Sequence, residues 1–147
     1  NLKYVIGKEL IFFSNYNSMK AINFKNHNQI SALIYWNKIN LQIRMKAKIK
    51  KTDPIFSDEY FKKRKKEKNA LAISSKQSQI IDSHEDVKNN YKNTLDMDDL
   101  YLRPNYWGGY SFIPYYFEFW KGHEFRLNER DVYEFNNKEW THFKLQP

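Results

Sequence analysis

The chain has 147 residues, a length that fits one domain with a sizeable core and leaves little room for a second. It contains no cysteine, which excludes disulfides, thiolate metal sites and cysteine nucleophiles. The formal net charge of +8 indicates a polyanionic partner, either nucleic acid or a phosphate-bearing small molecule. The aromatic content of 18% is high enough to supply a platform for a flat ligand as well as a core.

Targeting signals are absent from these residues. No apolar run approaches the roughly 18 residues of a membrane span, and no signal peptide is visible. We therefore expect a cytoplasmic protein with no membrane partner. Because the first residue is Asn1 rather than Met, we expect residues 1–147 to form one domain whose natural N-terminal segment is missing.

The first part of the chain carries strand signals around one short helix. Apolar and β-branched residues bounded by turn residues predict strands over 9–15, 29–36 and 41–49. The last two strands form a hairpin through a turn at 37–40. Ser18 is in position to cap a helix running through "MKAINFKNH".

The middle of the chain is charged and helical. Asp53 and Pro54 stand in helix-start positions, and the charged stretch that follows predicts one continuous helix as far as Lys68. Residues 70–80 fit a helix or an extended segment, and residues 84–99 predict a polar surface helix.

The last third returns to strands. "RPNYWGGY" predicts a loop, and an Asn136-Asn137 turn is suited to a tight hairpin. The predicted strands cover 110–120, 130–137 and 139–145. Strands at both ends with helices between them favour a mainly β fold, a small antiparallel barrel with decorating helices, over alternating strand-helix units.

One face of the predicted charged helix has the groups that bind a phosphate monoester. Tyr60, Arg64 and Lys68 are four residues apart, so on a helix they share one face. A hydroxyl, a guanidinium and an ammonium together offer several charge-assisted hydrogen bonds to a compact dianion. The spacing alone also fits a solvated helix face, and both interpretations stay open at this point.

Other chemistry has little support in the sequence. The four histidines, His27, His84, His123 and His142, lack metal-ligand spacing, so we expect no metal site. The four glycines form neither a phosphate loop nor a serine-nucleophile elbow. The lysine run over 62–68 invites a nucleic-acid hypothesis, but we expect only non-specific binding that fades with salt.

The stretch "FEFWKGHEFRLNER" places an aromatic run before Arg126, Asn128 and Arg130. If it is a strand, these three side chains point the same way. A hairpin edge with solvated charges would have the same spacing, so the pattern does not decide between a site and a surface.

These residues resemble the pyridoxamine 5'-phosphate oxidases, flavin enzymes that make pyridoxal phosphate. "FEFWKGHEFRLNER" is similar to the family's C-terminal signature, and "FFSNYNSMKA", "SKQSQ" and "PNYWGGY" are similar to three further family motifs. Order and spacing agree from about Lys3 to Pro147. The resemblance implies an FMN-binding split β-barrel, a homodimer, and FMN held at the subunit interface.

The resemblance also assigns roles residue by residue. Positions implied to contact FMN are Phe13, Ser14, Lys20, Gln42, Gln77, Ser78, Trp120 and Arg130, with Lys20 at the phosphate. Positions implied to bind the phosphorylated substrate are Lys3, Tyr60, Arg64 and Lys68. Arg126 and Asn128 are implied to lie over the substrate ring as the catalytic pair.

The implied reaction moves a hydride from the substrate carbon bearing the amine or alcohol to the flavin, which dioxygen reoxidises with release of hydrogen peroxide.

Three positions depart from the family pattern: Met19 replaces an Arg, Lys68 replaces a small hydroxyl residue, and Asn128 replaces the more usual His. Two alternatives therefore remain: a split-barrel flavoprotein acting on another flat substrate, and a flavin-binding member without oxidase activity.

Overall fold

A computed structural model describes residues Asn1–Pro147. The strands are β1 (Tyr4–Ile6), β2 (Glu9–Asn15), β3 (Gln29–Trp36), β4 (Leu41–Lys51), β5 (Trp107–Lys121), β6 (Glu129–Asn136) and β7 (Glu139–Lys144). The helices are α1 (Met19–Asn26), α2 (Pro54–Lys62), α3 (Lys66–Ser74) and α4 (His84–Leu95), with a short 3-10 turn at Asn37–Ile39. None of the helices combines the length and the apolar character needed to cross a bilayer.

All seven strands belong to one antiparallel sheet, which confirms the mainly β prediction. Its main path runs β1-β2-β5-β4-β3, and β6 and β7 continue from β5. β5 is the organising strand because it has 15 residues and pairs on both edges. One edge meets β4, and the other meets first β2 and then β6. The predicted hairpin of the second and third long strands is confirmed as β3 and β4.

The core lies where β2, β4 and β5 face α1. Its buried members are Ala21, Met45, Ala47, Ile49, Tyr110 and Phe112. Alternate residues of β4, namely Met45, Ala47 and Ile49, point into this core, as expected for a strand with one buried face. α1 starts after Ser18 as predicted, but the Ser18 hydroxyl donates to the Asn15 carbonyl at 2.8 Å and does not cap the helix.

Polar contacts fix α2 against the first residues of β5. The Gly109 amide donates to Ser57 Oγ at 3.0 Å, and Arg103 Nε donates to Asp58 Oδ1 at 2.6 Å. Arg103 Nη1 also donates to the Trp107 carbonyl at 2.6 Å. These bonds set the position of α2, and therefore of Tyr60 on it, relative to the sheet.

Gly109 is required by this close packing. A Cβ at that position would clash with the Thr52 side chain and lie 3.1 Å from the Phe13 ring. We expect Gly109→Ala to lower the free energy of unfolding by about 1–3 kcal/mol, the usual cost of overpacking. Urea unfolding measures this loss. Gly122→Ala is the control, because the atoms nearest to its Cβ would belong to the exposed side chain of Asn40, which can move. An equal loss for both variants would contradict the prediction.

The prediction of one continuous charged helix is wrong. α2 ends at Lys62 and α3 begins at Lys66, so Arg64 lies in the turn between them. The buried side chain of Asn69 donates to the Phe61 carbonyl at 3.0 Å. This bond satisfies a carbonyl that a continuing helix would use, and it stabilises the break.

Two boundaries in the last third also differ from expectation. Trp107 to Tyr110 belong to β5 and not to a loop, because they pair with β2. The tight turn between β6 and β7 consists of Asn137 and Lys138, one residue later than predicted. Both have positive φ, 50° and 69°, which a two-residue type I′ hairpin turn requires.

Candidate functional site

Eight of the fourteen residues implicated by sequence line one cavity of about 560 Å³. It lies between β2, α1, the α2-α3 turn and the start of β5. Six of its lining residues are cations and none is acidic, and we call it the cationic pocket. The cations are Lys3, Lys20, Lys63, Arg64, Lys65 and Lys68, and the other lining residues are Asn1, Tyr4, Phe12, Phe13, Ser14, Tyr60, Gln77 and Trp107.

Arg64 is the most constrained cation of the pocket. Its guanidinium carbon lies 4.5 Å from the centroid of the Trp107 ring, and Nη2 donates to the Lys68 carbonyl at 3.1 Å. Nη1 is buried and has no hydrogen-bond partner. Burial lowers the pKa of Arg64, an effect that Tyr60 partly offsets. A buried donor without an acceptor is costly, and an anion bound in the pocket would satisfy it.

The prediction that Tyr60, Arg64 and Lys68 lie close together is confirmed, but the prediction that one helix face brings them together is wrong. Tyr60, Arg64 and Lys68 all line the pocket, but they come from α2, the turn and α3. The break between the helices brings them together. Burial raises the pKa of Tyr60, so its hydroxyl remains a proton donor at neutral pH.

An aromatic stack forms the wall behind these cations. The Phe13 and Tyr60 rings are 3.7 Å apart at 10°, and Trp107 is parallel to Phe13 at 5.3 Å. Ser14 is buried beside Phe13, and Gln77 Oε1 accepts from the Asn15 amide at 3.4 Å. Ser78, which follows Gln77, has a φ of 71° and is not among the pocket residues.

Three of the other implicated residues form a second group at the far end of β5. Gln42, Trp120 and Arg130 are register partners across β4, β5 and β6, and we call them the strand row. Because partners in adjacent strands point to the same face, these three side chains are neighbours.

Glu118 lies on the same sheet face as the strand row and binds Arg130. Its carboxylate, only 6% exposed, accepts from Arg130 Nε at 2.7 Å and Arg44 Nη1 at 3.2 Å. Its other oxygen accepts from the Tyr116 hydroxyl at 3.2 Å. Burial alone raises the pKa of Glu118, but the Arg130 hydrogen bond and both arginine charges outweigh it and keep the pKa below its usual value. The pair is therefore ionised at neutral pH and loses its contribution only as pH falls through that lowered pKa.

In a single chain the cationic pocket and the strand row lie towards opposite ends of β5. Gly108, the partner of Ser14, and Trp120 are twelve residues apart on β5. At about 3.3 Å per residue this is about 40 Å for a straight strand. A bulge at Tyr115 bends β5 but leaves it paired on both sides of the bend.

Arg126, Asn128 and Arg130 do not share one strand face, because the stretch is not a strand at Arg126 and Asn128. β6 begins at Glu129, and Arg126 lies in the preceding loop with a φ of 63°. Asn128 Oδ1 accepts from the His123 amide at 3.0 Å, and the Arg126 amide donates to the His123 carbonyl at 3.0 Å. These bonds fix the loop conformation and leave the Arg126 side chain exposed.

Sequence reasoning missed Arg44, Glu118, Lys63 and Lys65. Alternation along β4 and β5 could have placed Arg44 beside Gln42 and Glu118 beside Trp120. No signal in the lysine run distinguishes pocket-lining from solvated lysines, because the run lies across the unpredicted break.

The sequence has relatives along its full length. The pyridoxine/pyridoxamine 5'-phosphate oxidase of Leptospira biflexa is 34% identical over 149 residues, covering 99% of this chain and 70% of the relative. The chain belongs to the pyridoxine/pyridoxamine 5'-phosphate oxidase family. The enzyme of the same name from Legionella pneumophila is 36% identical, with 99% and 69% covered.

Further comparisons agree with this family and its fold. Residues 107–147 match the family profile described as the pyridoxine 5'-phosphate oxidase C-terminal dimerisation region. PhzG from Burkholderia lata, solved with tetrahydrophenazine-1-carboxylic acid, superposes with a TM-score of 0.87 at 24% identity, over 99% of this chain and 72% of PhzG. A pyridoxamine 5'-phosphate oxidase-related, FMN-binding protein from Nostoc punctiforme gives 0.73 at 13% identity, with 99% and 78% covered. The fold is the split β-barrel predicted from sequence.

Proposed function

We propose that this protein is an FMN-dependent oxidase that converts pyridoxamine 5'-phosphate or pyridoxine 5'-phosphate to pyridoxal 5'-phosphate. Dioxygen is the electron acceptor and hydrogen peroxide is released, with ammonia formed when the substrate is the amine. The observation that carries the proposal is the unpartnered, buried Nη1 of Arg64 in a pocket with six cations and no acid.

The pocket chemistry supports a phosphorylated substrate. Arg64 Nη1 and the Tyr60 hydroxyl are donors at neutral pH, and Lys3 adds a mobile ammonium at the same cavity. A phosphate dianion would accept from all three, whereas a neutral ring would leave the arginine unpaired. In this proposal Arg64 and Tyr60 orient the substrate by its phosphate, and Lys68 screens the pocket entrance.

The residues also fit FMN. Lys20 supplies a cation for the cofactor phosphate, and Phe13, Ser14 and Gln77 surround it with one aromatic and two polar side chains. When bound, FMN supplies hydride acceptance and transfer of electrons to dioxygen. The chain's own residues bind and orient both ligands, with Ser78 completing the turn after Gln77.

A homodimer would bring the two halves of the site together. In this proposal the cationic pocket of one protomer meets the strand row, Arg126 and Asn128 of its partner. An exposed aromatic surface on β5, β6 and β7 supports it, because Tyr133 and Trp140 are 41% and 46% exposed within the matched dimerisation region. Phe117, Phe119 and Asp131 line the same surface. Apolar patches of this kind mark interfaces.

An oxidase for another flat substrate is the competing function, favoured by the superposition on PhzG. The six cations argue against it, since a ring carrying one carboxylate needs fewer. A flavin-binding role without oxidation would use the same cofactor residues.

Anaerobic titration of the FMN-loaded protein tests the proposal. Pyridoxamine 5'-phosphate should bleach the flavin absorbance, and unphosphorylated pyridoxamine at the same concentration should bleach it far more slowly. Bleaching by tetrahydrophenazine-1-carboxylic acid alone would support the PhzG-like function. Protein that takes up FMN but is bleached by none of these would be the silent binder, and protein that takes up no FMN would contradict the cofactor assignment.

A further inference from the structure

A second arginine, Arg44, lies beside the strand row and has no part in the proposed function. Arg44 is two residues from Gln42 on β4, so both side chains point to the face that carries Trp120. Its guanidinium carbon is 5.2 Å from the centroid of the Trp120 ring, and its side chain is 39% exposed. A ligand contacting Trp120 would therefore meet Arg44 as well.

Arg44 is held in one orientation by two acceptors. Nη1 donates to Glu118 Oε1 at 3.2 Å, and Nε donates to Gln42 Oε1 at 3.0 Å. The side-chain amide of Gln42 has one acceptor and one donor group, and Arg44 uses the acceptor. The amide nitrogen of Gln42 is left to donate outward.

The result is a ligand-facing surface made of hydrogen-bond donors. Glu118, the carboxylate within it, is buried and already accepts from Arg44, Arg130 and Tyr116. Gln42, Arg44 and Arg130 present N–H groups, and the indole of Trp120 is a donor only. Such a surface is complementary to a flat ring whose edge carries acceptors and gains electron density.

We infer that Arg44 is a further flavin-binding residue, with Glu118 as its positioning residue: together they fix Gln42 as a donor and add a cation beside the pyrimidine edge of the isoalloxazine ring. This inference rests on the proposed function, because it takes FMN as the ligand of the strand row. It concerns the ring and not the cofactor phosphate, which the proposal gives to Lys20.

Contacts to the ring can be distinguished from contacts to the phosphate by comparing the binding of riboflavin, which has no phosphate, with that of FMN. Flavin fluorescence quenching gives both dissociation constants for the full-length protein. Arg44→Met should raise both by the same factor, about ten-fold or more for one charge-assisted hydrogen bond and its cation. Lys20→Ala should weaken FMN alone. Glu118→Ala should resemble Arg44→Met, because it removes the oxygen that accepts from Arg44 Nη1 and so releases Arg44.

The midpoint potential of the bound flavin distinguishes an electrostatic role of Arg44 from a role in packing alone. Reduction makes the ring more electron-rich, so loss of the Arg44 charge should lower the midpoint potential of the bound flavin. Arg44→Lys keeps the charge, so its midpoint potential should lie between those of Arg44→Met and the wild type. A lysine lacks the planar guanidinium with which Arg44 donates to Gln42 and Glu118 from two different nitrogens. Lys46→Met is the matched control, because Lys46 lies two residues further along β4 over Tyr116 and away from Gln42.

The outcomes distinguish this inference from the proposed function. Wild-type protein that binds neither flavin overturns both. Wild-type binding with unchanged affinity and potential in Arg44→Met overturns the inference alone. If Arg44→Met does not fold, Arg44→Lys is compared with Lys46→Met. Arg44→Lys should bind flavin more weakly than Lys46→Met, and equal flavin affinity for these two variants overturns the inference.

Discussion

At limiting FMN and at pyridoxamine 5'-phosphate well below the Michaelis constant of Arg64→Ala, dimers of an Arg64→Ala subunit and a Trp120→Ala subunit are expected to be far more active than either parent variant. Arg64 lies in the cationic pocket and Trp120 in the strand row, at opposite ends of β5. If each site takes one half from each protomer, the mixed dimer has one site with both defects and one site with none. Co-expression with two affinity tags isolates this species, and it should have about half the wild-type activity, as two-fold symmetry dictates.

The control for this experiment pairs two defects in the same half. A dimer of Arg64→Ala and Lys20→Ala subunits has one damaged cationic pocket in each site, since both residues line that pocket. Under the same limiting conditions it should stay as weakly active as its parents. No recovery in the Arg64→Ala and Trp120→Ala dimer, or equal recovery in both pairs, would rule out a site shared between protomers.

Arg64→Ala alone is expected to raise the Michaelis constant for pyridoxamine 5'-phosphate by about ten- to a hundred-fold. A hydrogen bond from a charged donor contributes about 1.5–3 kcal/mol, which converts to that range. The turnover number should change much less if the phosphate is held equally in the ground and transition states. Steady-state kinetics at saturating FMN measure both constants.

The structure identifies the appropriate control for this substitution. Lys63 lines the cationic pocket together with Arg64, so removing it also changes the ligand environment. Lys62 is exposed at the end of α2 and is not a pocket residue. Lys62→Ala should leave the Michaelis constant unchanged. An effect equal to that of Arg64→Ala would mean that only the overall positive charge matters, and not the buried guanidinium.

The strands were predictable because their pattern is local. The strand 9–15 matches β2, and 29–36 matches β3, since turn residues bound each apolar run. The type of each element was therefore determined by short-range signals. The split barrel itself came from the resemblance, because pairing of β5 with three other strands joins residues distant in sequence.

The helix break and the loop before β6 were not predictable for a physical reason. "KKRKKEK" contains no glycine or proline, and the break depends on the contact of Asn69 with Phe61 and on Arg64 packing against Trp107. These are tertiary contacts, which override helix propensity. Alternation likewise assumed a strand at Arg126, where hydrogen bonds to His123 stabilise a left-handed conformation.

In a dimer of the proposed kind, β5 would connect the two active sites. One copy of this strand would extend from one active site, at Trp107, to the other, at Trp120. Because β5 pairs with β2 and β4 towards one end and with β4 and β6 towards the other, we expect a displacement at one end to reach the other through the sheet. Substrate binding at the first site is therefore expected to change the affinity of the second, and the saturation curve should deviate from a simple hyperbola.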